Sequence, residues 1–332
     1  MSRITILGAG AWGTALAISL ARRSGHHVTL WAHSTQLAEQ LADTGENIPY
    51  LPGFTLPFDI TVTGDLPSAI FEADIILCVT PSQHLRGIVS HIAPLLTKNQ
   101  IVLSASKGIE ETSFLRMSQV IASVTDNSIC VLSGPTFAQE VAAGSPSAIV
   151  AACNDARLAQ TVQREFSSPS LRIYTNDDVI GVELGGALKN VIALASGVVT
   201  GLNLGHNSAA ALITRGIAEI TRLSVACGGR RQTLAGLSGI GDLVLTSTGA
   251  LSRNRSVGIE LGRGRRLDEI LAGMGGKVAE GVRSTTSALG LAARYGVEMP
   301  ITEQVDAILH HNKKPADAIR DLMSRPGRDE HY

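Results

Sequence analysis

The chain has 332 residues, with 28 Lys and Arg against 29 Asp and Glu and a formal net charge of −1. It is 44% hydrophobic and 17% charged, with mean hydropathy +0.19, which excludes a disordered chain and provides no overall basic field for nucleic acid. The length passes the point at which a single core stops growing, so two domains are expected.

The chain opens on Ile4-Thr5-Ile6-Leu7, a short apolar run rich in β-branched residues that reads as a buried strand. It feeds into Gly8-x-Gly10-x-x-Gly13 and then a helical pattern over 14–23, and strand, glycine loop and helix in that order form a dinucleotide-binding fingerprint. Gly8 permits the tight turn, Gly10 lets backbone N–H groups approach a pyrophosphate, and Gly13 lets the helix pack close to the strand. The pyrophosphate would sit on the helix N-terminus. The next strand pattern, over 27–31, ends in Ala32-His33-Ser34, where an NAD-restricted enzyme carries an acid. No carboxylate repels a 2′-phosphate and no Arg demands one, so the expected cofactor is NADP(H), NAD(H) or both, with His33 and Ser34 as donors.

A helical pattern over 34–44 precedes Asn47-Ile48-Pro49-Tyr50-Leu51-Pro52-Gly53, which either covers the cofactor side of a cleft or is a plain surface connection. Apolar runs over 75–79 and 101–105, with a helical pattern between them, indicate a parallel sheet covered on both faces. Runs over 129–132, 148–152 and 171–174 extend it. Ligands of such sheets bind beyond the carboxyl ends of the strands. That rule puts Thr80-Pro81-Ser82-Gln83, Lys107 and the turn Ser133-Gly134-Pro135-Thr136-Phe137-Ala138 at the cleft. Lys107 is a cation near the expected nicotinamide, or an ordinary solvated lysine. Cys78, Cys130, Cys153 and Cys227 are far apart and lack metal-ligand spacing, so they read as buried free thiols in a reducing compartment, and no metal is expected.

At Asp177 the pattern turns to long Ala/Leu/Gly-rich helical periodicity. The expected fold class is α/β: a Rossmann-like doubly wound sheet domain over 1–178, followed by an all-α C-terminal domain over 179–332 that binds substrate. Residues 178–200 read as a nearly apolar helix after an Asn176-Asp177 cap, and Gly185-Gly186 within it signal close approach by another backbone or a ligand. No uninterrupted apolar run reaches the ~18 residues of a membrane span, and no leader is expected ahead of the first strand, so the protein is expected to be cytoplasmic.

Lys189 is the only cation on that apolar helix, and Glu183 has the wrong spacing to pair with it. Apolar surroundings lower a lysine's pKa, which suits a general base for an alcohol proton; the bland account is a lysine snorkelling to solvent. On the helical segment 208–227, Arg215, Glu219 and Arg222 have pair spacing and are expected to form structural salt bridges. Asp242 sits between a glycine-rich turn and an apolar run, where a lone carboxylate needs a partner, and Lys189 is the natural candidate. The loop Leu251-Ser252-Arg253-Asn254-Arg255-Ser256 offers donors suited to phosphate oxygens, or is a polar helix start. Val278-Ala279-Glu280 either returns to the cofactor or simply packs. The tail over 324–332 is polar and expected to fray.

These residues carry a resemblance. The motifs GAGAWGTALA, LWAH, NIPYLPG, SKGIE, SGPTFAQEVAAG, GVELGGALKNVIALASG, ALITRGIAEI, GLSGIGDLVLT, SRNRSVG and VAEGVRST run through essentially the whole length. Together they resemble NAD(P)-dependent glycerol-3-phosphate dehydrogenases of the bacterial type. The resemblance implies reversible hydride transfer between NAD(P)H and dihydroxyacetone phosphate, giving sn-glycerol 3-phosphate for phospholipid synthesis. It implies Lys189 as catalytic acid/base, Lys107 in contact with both cofactor and substrate, and Asp242 in the substrate site with Lys189. Gly134 and Thr136 line the substrate side, and Ser252, Arg253 and Asn254 hold the phosphate. The cofactor cradle takes Gly8, Gly10, Ala11, Trp12, Gly13 and His33, with Ala138, Arg253, Val278 and Glu280 beside it.

Two rival readings differ at named residues. A β-hydroxyacid dehydrogenase also places a lysine on the first helix after the nucleotide domain, but typically with Asn four residues later, where this chain has Ala193. A non-catalytic NAD(P)H sensor would keep the glycine loop and need no Lys189, Asp242 or SRNR cluster. The apolar helical half leaves room for a homodimer.

Overall fold

The strands β1 (Ser2–Leu7), β2 (His26–Trp31), β3 (Ile60–Thr63), β4 (Ile75–Cys78), β5 (Ile101–Ser104), β6 (Ser128–Ser133), β7 (Ser147–Ala152) and β8 (Leu171–Asn176) form one sheet. Their order is β3-β2-β1-β4-β5-β6-β7-β8 in the computed structural model, which describes residues 2–23, 25–274, 279–327 and 329–330. Ile4 of β1 pairs with Val28 on one side and Ile75 on the other, and β4 and β5 are buried along their whole length. Such continuous apolar strands require cover on both faces. Helices α1 (Ala11–Ala21), α2 (Thr35–Thr44), α3 (Leu66–Ile70), α4 (Leu85–Ile92), α5 (Met117–Ala122), α6 (Ala138–Ala143) and α7 (Ala156–Phe166) supply that cover.

Neighbouring strands are parallel except β6 and β7, which run antiparallel. A parallel return must span the sheet, about 20 Å for a six-residue strand, and α6 with its six residues spans only about 9 Å. One boundary and one strand differ from the sequence pattern. Helix α1 begins at Ala11, so Gly13 lies in its first turn, where a Cβ would strike the Gly8 carbonyl oxygen. The strand β3 carries too short an alternation to read in sequence.

Beyond the sheet, the chain is helical: α8 (Val179–Gly201), α9 (Gly205–Ala226), α10 (Arg231–Leu234), a π-turn over Leu237–Gly241, α11 (Asp242–Thr248), α12 (Arg253–Gly262), α13 (Leu267–Ala272), α14 (Glu280–Tyr295), α15 (Pro300–His310) and α16 (Pro315–Met323). Asp178, not Asn176 or Asp177, caps α8, its Oδ1 accepting the Gly181 N–H at 2.8 Å. Asn176 instead accepts the Asp178 N–H, also at 2.8 Å. α8 is long and apolar enough to cross a membrane, yet 94% of that stretch is buried inside the fold, as the axis of the helical region.

α12 lies along α8 with backbones almost touching. A Cβ on Gly258 would lie 2.9 Å from the Gly197 Cα, and one on Gly262 would lie 3.0 Å from the Gly201 Cα. Gly258→Ala drives a methyl group into the Leu194 carbonyl oxygen, so stability is expected to fall by about 1–3 kcal/mol. A urea melt with an unchanged midpoint would mean that the helices separate freely.

The salt bridges expected on α9 do not form. Glu219 is buried and accepts the N–H groups of Ile301 and Thr302, each at 2.9 Å, and the Thr302 hydroxyl at 2.7 Å. It caps α15, and burial holds its carboxyl above the usual range despite those donors. Arg215 and Arg222 reach the carbonyl oxygens of Glu330 and Glu298 instead. Helical spacing aligns the three residues, but inward N–H donors satisfy a buried carboxylate at lower desolvation cost than a mobile arginine.

Candidate active site

The glycine loop gives the first part of the site. Gly8 adopts φ +124°, and a Cβ there would lie 2.6 Å from the Val79 carbonyl oxygen, so only glycine fits. Around Gly10 there is open space within 4 Å of where a Cβ would stand, and no side chain caps α1. The first N–H groups of α1 therefore face an open approach suited to an anion. Ala11 and Trp12 flank it, half-buried. Asn47 is fully buried and donates through Nδ2 to the Ala9 oxygen at 2.9 Å and the Thr14 hydroxyl at 2.7 Å. The 47–53 loop is thereby tied to the glycine loop and is not a free surface connection. His33 is exposed at the end of β2, edge-on to Trp31. These residues fit a dinucleotide: an uncapped helix N-terminus, a bare glycine above it and no carboxylate at the β2 tip.

The strand ends converge on the helical region. Glu280 opens α14, and its Oε2 accepts the Ser82 hydroxyl at 3.3 Å, just past β4. Burial raises its carboxyl, and Arg253 lies within electrostatic reach. Ala138 starts α6 against the same core as α1. Val278 lies outside the described residues.

The most concentrated chemistry lies where β5, β6, α8 and α11 meet. Asp242 is fully buried at the start of α11, and each of its carboxylate oxygens holds a different lysine. Oδ1 accepts the Lys189 ammonium, and Oδ2 accepts the Lys107 ammonium at 2.6 Å. Lys189 is 6% exposed, so it does not snorkel. It also donates to the Thr246 hydroxyl at 2.7 Å, while that hydroxyl donates to the Asp242 carbonyl oxygen. Lys107 donates further to the Gly134 carbonyl oxygen at 3.0 Å. Burial is the main cause that lowers the Lys189 amine to about 8; Lys107 adds to the fall and Asp242 opposes it.

Glycines make this meeting possible. A Cβ on Gly186 would lie 2.5 Å from the Ser133 hydroxyl and 3.6 Å from the Lys107 Cδ, while one on Gly185 would strike the Ser238 carbonyl oxygen. Gly134 has φ +149° and packs on Ile149. Thr136 is half-buried beside it, its hydroxyl 3.4 Å from the Gly134 oxygen.

The SRNR segment is a helix start. Ser252 is the N-cap of α12, its buried hydroxyl accepting the Arg255 N–H at 3.2 Å, and Arg253 is exposed on the first turn. A helix N-terminus headed by an arginine is an anion-binding arrangement. Asn254 is committed elsewhere: its Nδ2 donates to Asn190 at 2.9 Å and its Oδ1 accepts the Gly281 N–H at 2.9 Å. It joins α8, α12 and α14 immediately beside Lys189.

Sequence reasoning gave no role to Thr246 or Asn190, and it placed Asn47 and Ser82 at the cleft only as members of their loops. Thr246 carried a usable signal, since it stands four residues after Asp242 on one helical face. The others depend on contacts far along the chain. Glu183, set aside for its spacing, binds Arg116 and both the N–H and hydroxyl of Ser118, at 2.7 and 2.6 Å. It anchors the segment after Lys107 to the helix that carries Lys189.

The model of the NAD-dependent glycerol-3-phosphate dehydrogenase N-terminus matches residues 3–159, and that of the C-terminus matches residues 178–320. This chain belongs to the NAD-dependent glycerol-3-phosphate dehydrogenase family. Within that family it is 60% identical to a protein of Acidobacterium capsulatum over 99% of this chain and 100% of the relative. It is 57% identical to one of Koribacter versatilis over 99% of each. Both relatives are called glycerol-3-phosphate dehydrogenase [NAD(P)+]. Among solved structures, the glycerol-3-phosphate dehydrogenase of Coxiella burnetii superposes with a TM-score of 0.94 at 39% identity, covering 98% of this chain and 99% of that one. The family's two matched parts correspond to a Rossmann-like sheet region and a helical region here.

Proposed function

We propose that this chain interconverts dihydroxyacetone phosphate and sn-glycerol 3-phosphate with NAD(P)H, supplying glycerol 3-phosphate for phospholipid synthesis. One observation carries the reading: a buried carboxylate joins two lysines beside an arginine-headed helix N-terminus. Residues 1–178 bind the dinucleotide and residues 179–332 hold substrate and acid/base, in a cytoplasmic enzyme able to pair as a homodimer.

The bound nicotinamide supplies or accepts the hydride, and the chain's own groups do the rest. Gly8, Gly10, Ala11, Trp12 and Gly13 hold the pyrophosphate side, His33 the adenosine side, and Lys107, Ala138, Arg253 and Glu280 close around the cofactor. Arg253 and the N-terminus of α12 bind the substrate phosphate, with Ser252 and Asn254 shaping that turn. Gly134 and Thr136 form the opposite wall. Two of the three Lys189 ammonium hydrogens go to Asp242 and Thr246, which leaves the third to aim at the reacting oxygen. In the reducing direction Lys189 gives that proton to the forming alkoxide, and in the oxidising direction its neutral amine takes the alcohol proton. Lys107 stabilises negative charge at the oxygen.

The lowered Lys189 amine sets opposite pH dependences. Oxidation of sn-glycerol 3-phosphate needs the neutral amine and is expected to rise with pH through a midpoint of about 8. Reduction needs the ammonium and should fall through the same range. Rates in both directions across pH 6.5–9.5, flat or moving together, would remove Lys189 from the acid/base role.

The deciding assay follows NADH and NADPH oxidation with dihydroxyacetone phosphate and with dihydroxyacetone. Loss of the phosphate is expected to lower kcat/KM by at least roughly 10²-fold, because the anchored end orients the carbonyl. Equal rates for the two ketones would overturn the phosphate role of Arg253.

A further inference from the structure

The reversal between β6 and β7 brings two cysteines into register. Val131 pairs with Ala152, Leu132 with Ala151 and Ser133 with Val150, so one step outward Cys130 stands opposite Cys153. Opposed residues of an antiparallel pair have Cα atoms about 4.5–5.5 Å apart, within the range of about 4.4–6.8 Å that a disulfide takes. Both side chains enter the same apolar cluster, and the Cys153 thiol donates to the carbonyl oxygen of Ile129, the residue before Cys130, at 3.3 Å. From this juxtaposition we propose that Cys130 and Cys153 are a reversible redox pair that closes to a disulfide between β6 and β7 on reaction with a hydroperoxide.

The two sulfurs have different surroundings. Both are buried, Cys153 with 3% of its surface exposed, but Cys153 follows the last residue of β7, with exposed Asn154 next and α7 starting at Ala156, so it lies beside a helix N-terminus. The Cys130 thiol, then the main-chain N–H groups of Asp155 and Asn154, hold the Cys153 thiol down to about 7 against the effect of burial. Bonding to Cys153 and burial push Cys130 up. Cys153 is therefore the attacking thiolate and Cys130 the resolving thiol. Cys78, buried and pushed up to about 12 by that burial, serves as an internal control.

The chemistry balances. The Cys153 thiolate attacks one peroxide oxygen, an S–O bond forms as the O–O bond breaks, and the alkoxide leaves as an alcohol after taking a proton. Cys130 sulfur then attacks the Cys153 sulfenic acid, the S–S bond forms, and hydroxide leaves as water with the Cys130 proton. Two thiols and one hydroperoxide give one disulfide, one alcohol and one water. The bond lies at the third residue of β6, four residues before Gly134, whose carbonyl holds Lys107, so turnover of the oxidised enzyme should stay within about twofold.

The test treats the full-length enzyme with cumene hydroperoxide at pH 8, then alkylates it under denaturing, non-reducing conditions for peptide mass mapping. The expected product loses two hydrogens, links the peptides carrying Cys130 and Cys153, leaves Cys78 and Cys227 alkylatable, and reverts with dithiothreitol. In Cys130→Ser the linked product disappears and Cys153 gains two oxygens instead. Active wild-type enzyme in which Cys130 and Cys153 both remain alkylatable would overturn the proposal, as would a linkage that involves Cys78 or Cys227.

Discussion

Lys189→Ala is expected to lower dihydroxyacetone phosphate reduction by roughly 10²–10⁴-fold, the usual contribution of a positioned acid/base. The loss should be chemical, because the deletion does not orphan Asp242, whose Oδ2 still accepts Lys107. The dinucleotide approach lies at the glycine loop and α1, on elements that Lys189 does not touch. NADPH affinity, read by fluorescence titration, should therefore stay within about threefold while turnover falls. Turnover close to wild type in this variant would place the acid/base elsewhere.

Asp242→Ala should act on both rate and stability. It leaves the buried Lys189 ammonium and the half-buried Lys107 ammonium side by side without their shared counter-charge, and breaking a buried pair costs about 3–5 kcal/mol. Asp242→Asn keeps the shape and separates the two effects. Asp242 is the group that opposes the fall of the Lys189 amine, and Lys107 promotes that fall. With the carboxylate gone, both remaining influences favour the neutral amine, so the midpoint must move below about 8. The pH profile of reduction in Asp242→Asn should shift to the acid side, with a residual rate lower by at least about tenfold. A midpoint that stays at about 8 would mean that Asp242 does not govern the lysine.

Much of this was legible because period and composition report local demands. Continuous β-branched runs marked β1, β4 and β5, and the glycine loop marked a tight turn before a helix. An isolated lysine in an apolar helix marked a group that needs a partner. What escaped was set by distance along the chain. Glu219 has the spacing of an ion pair, yet it caps a helix that begins at Pro300. Asn254 reads as one more donor for a phosphate, yet its amide is used between Asn190 and Gly281. The antiparallel entry of β7 left no mark on its own residues, because the same apolar alternation serves either direction.

The glycine contact between α8 and α12 gives the helical region a fixed gauge. Lys189 rides on one helix and the arginine-headed N-terminus on the other, and the two backbones lock at Gly197 with Gly258 and at Gly201 with Gly262. Under the proposed function, the span from phosphate to carbonyl is then set by main chain rather than by adjustable side chains. A ketone phosphate one carbon longer or shorter would bind by its phosphate and present its carbonyl out of step with the amine. A misplacement of about 1 Å costs on the order of 10²-fold in rate, so the enzyme measures its substrate by length as well as by charge.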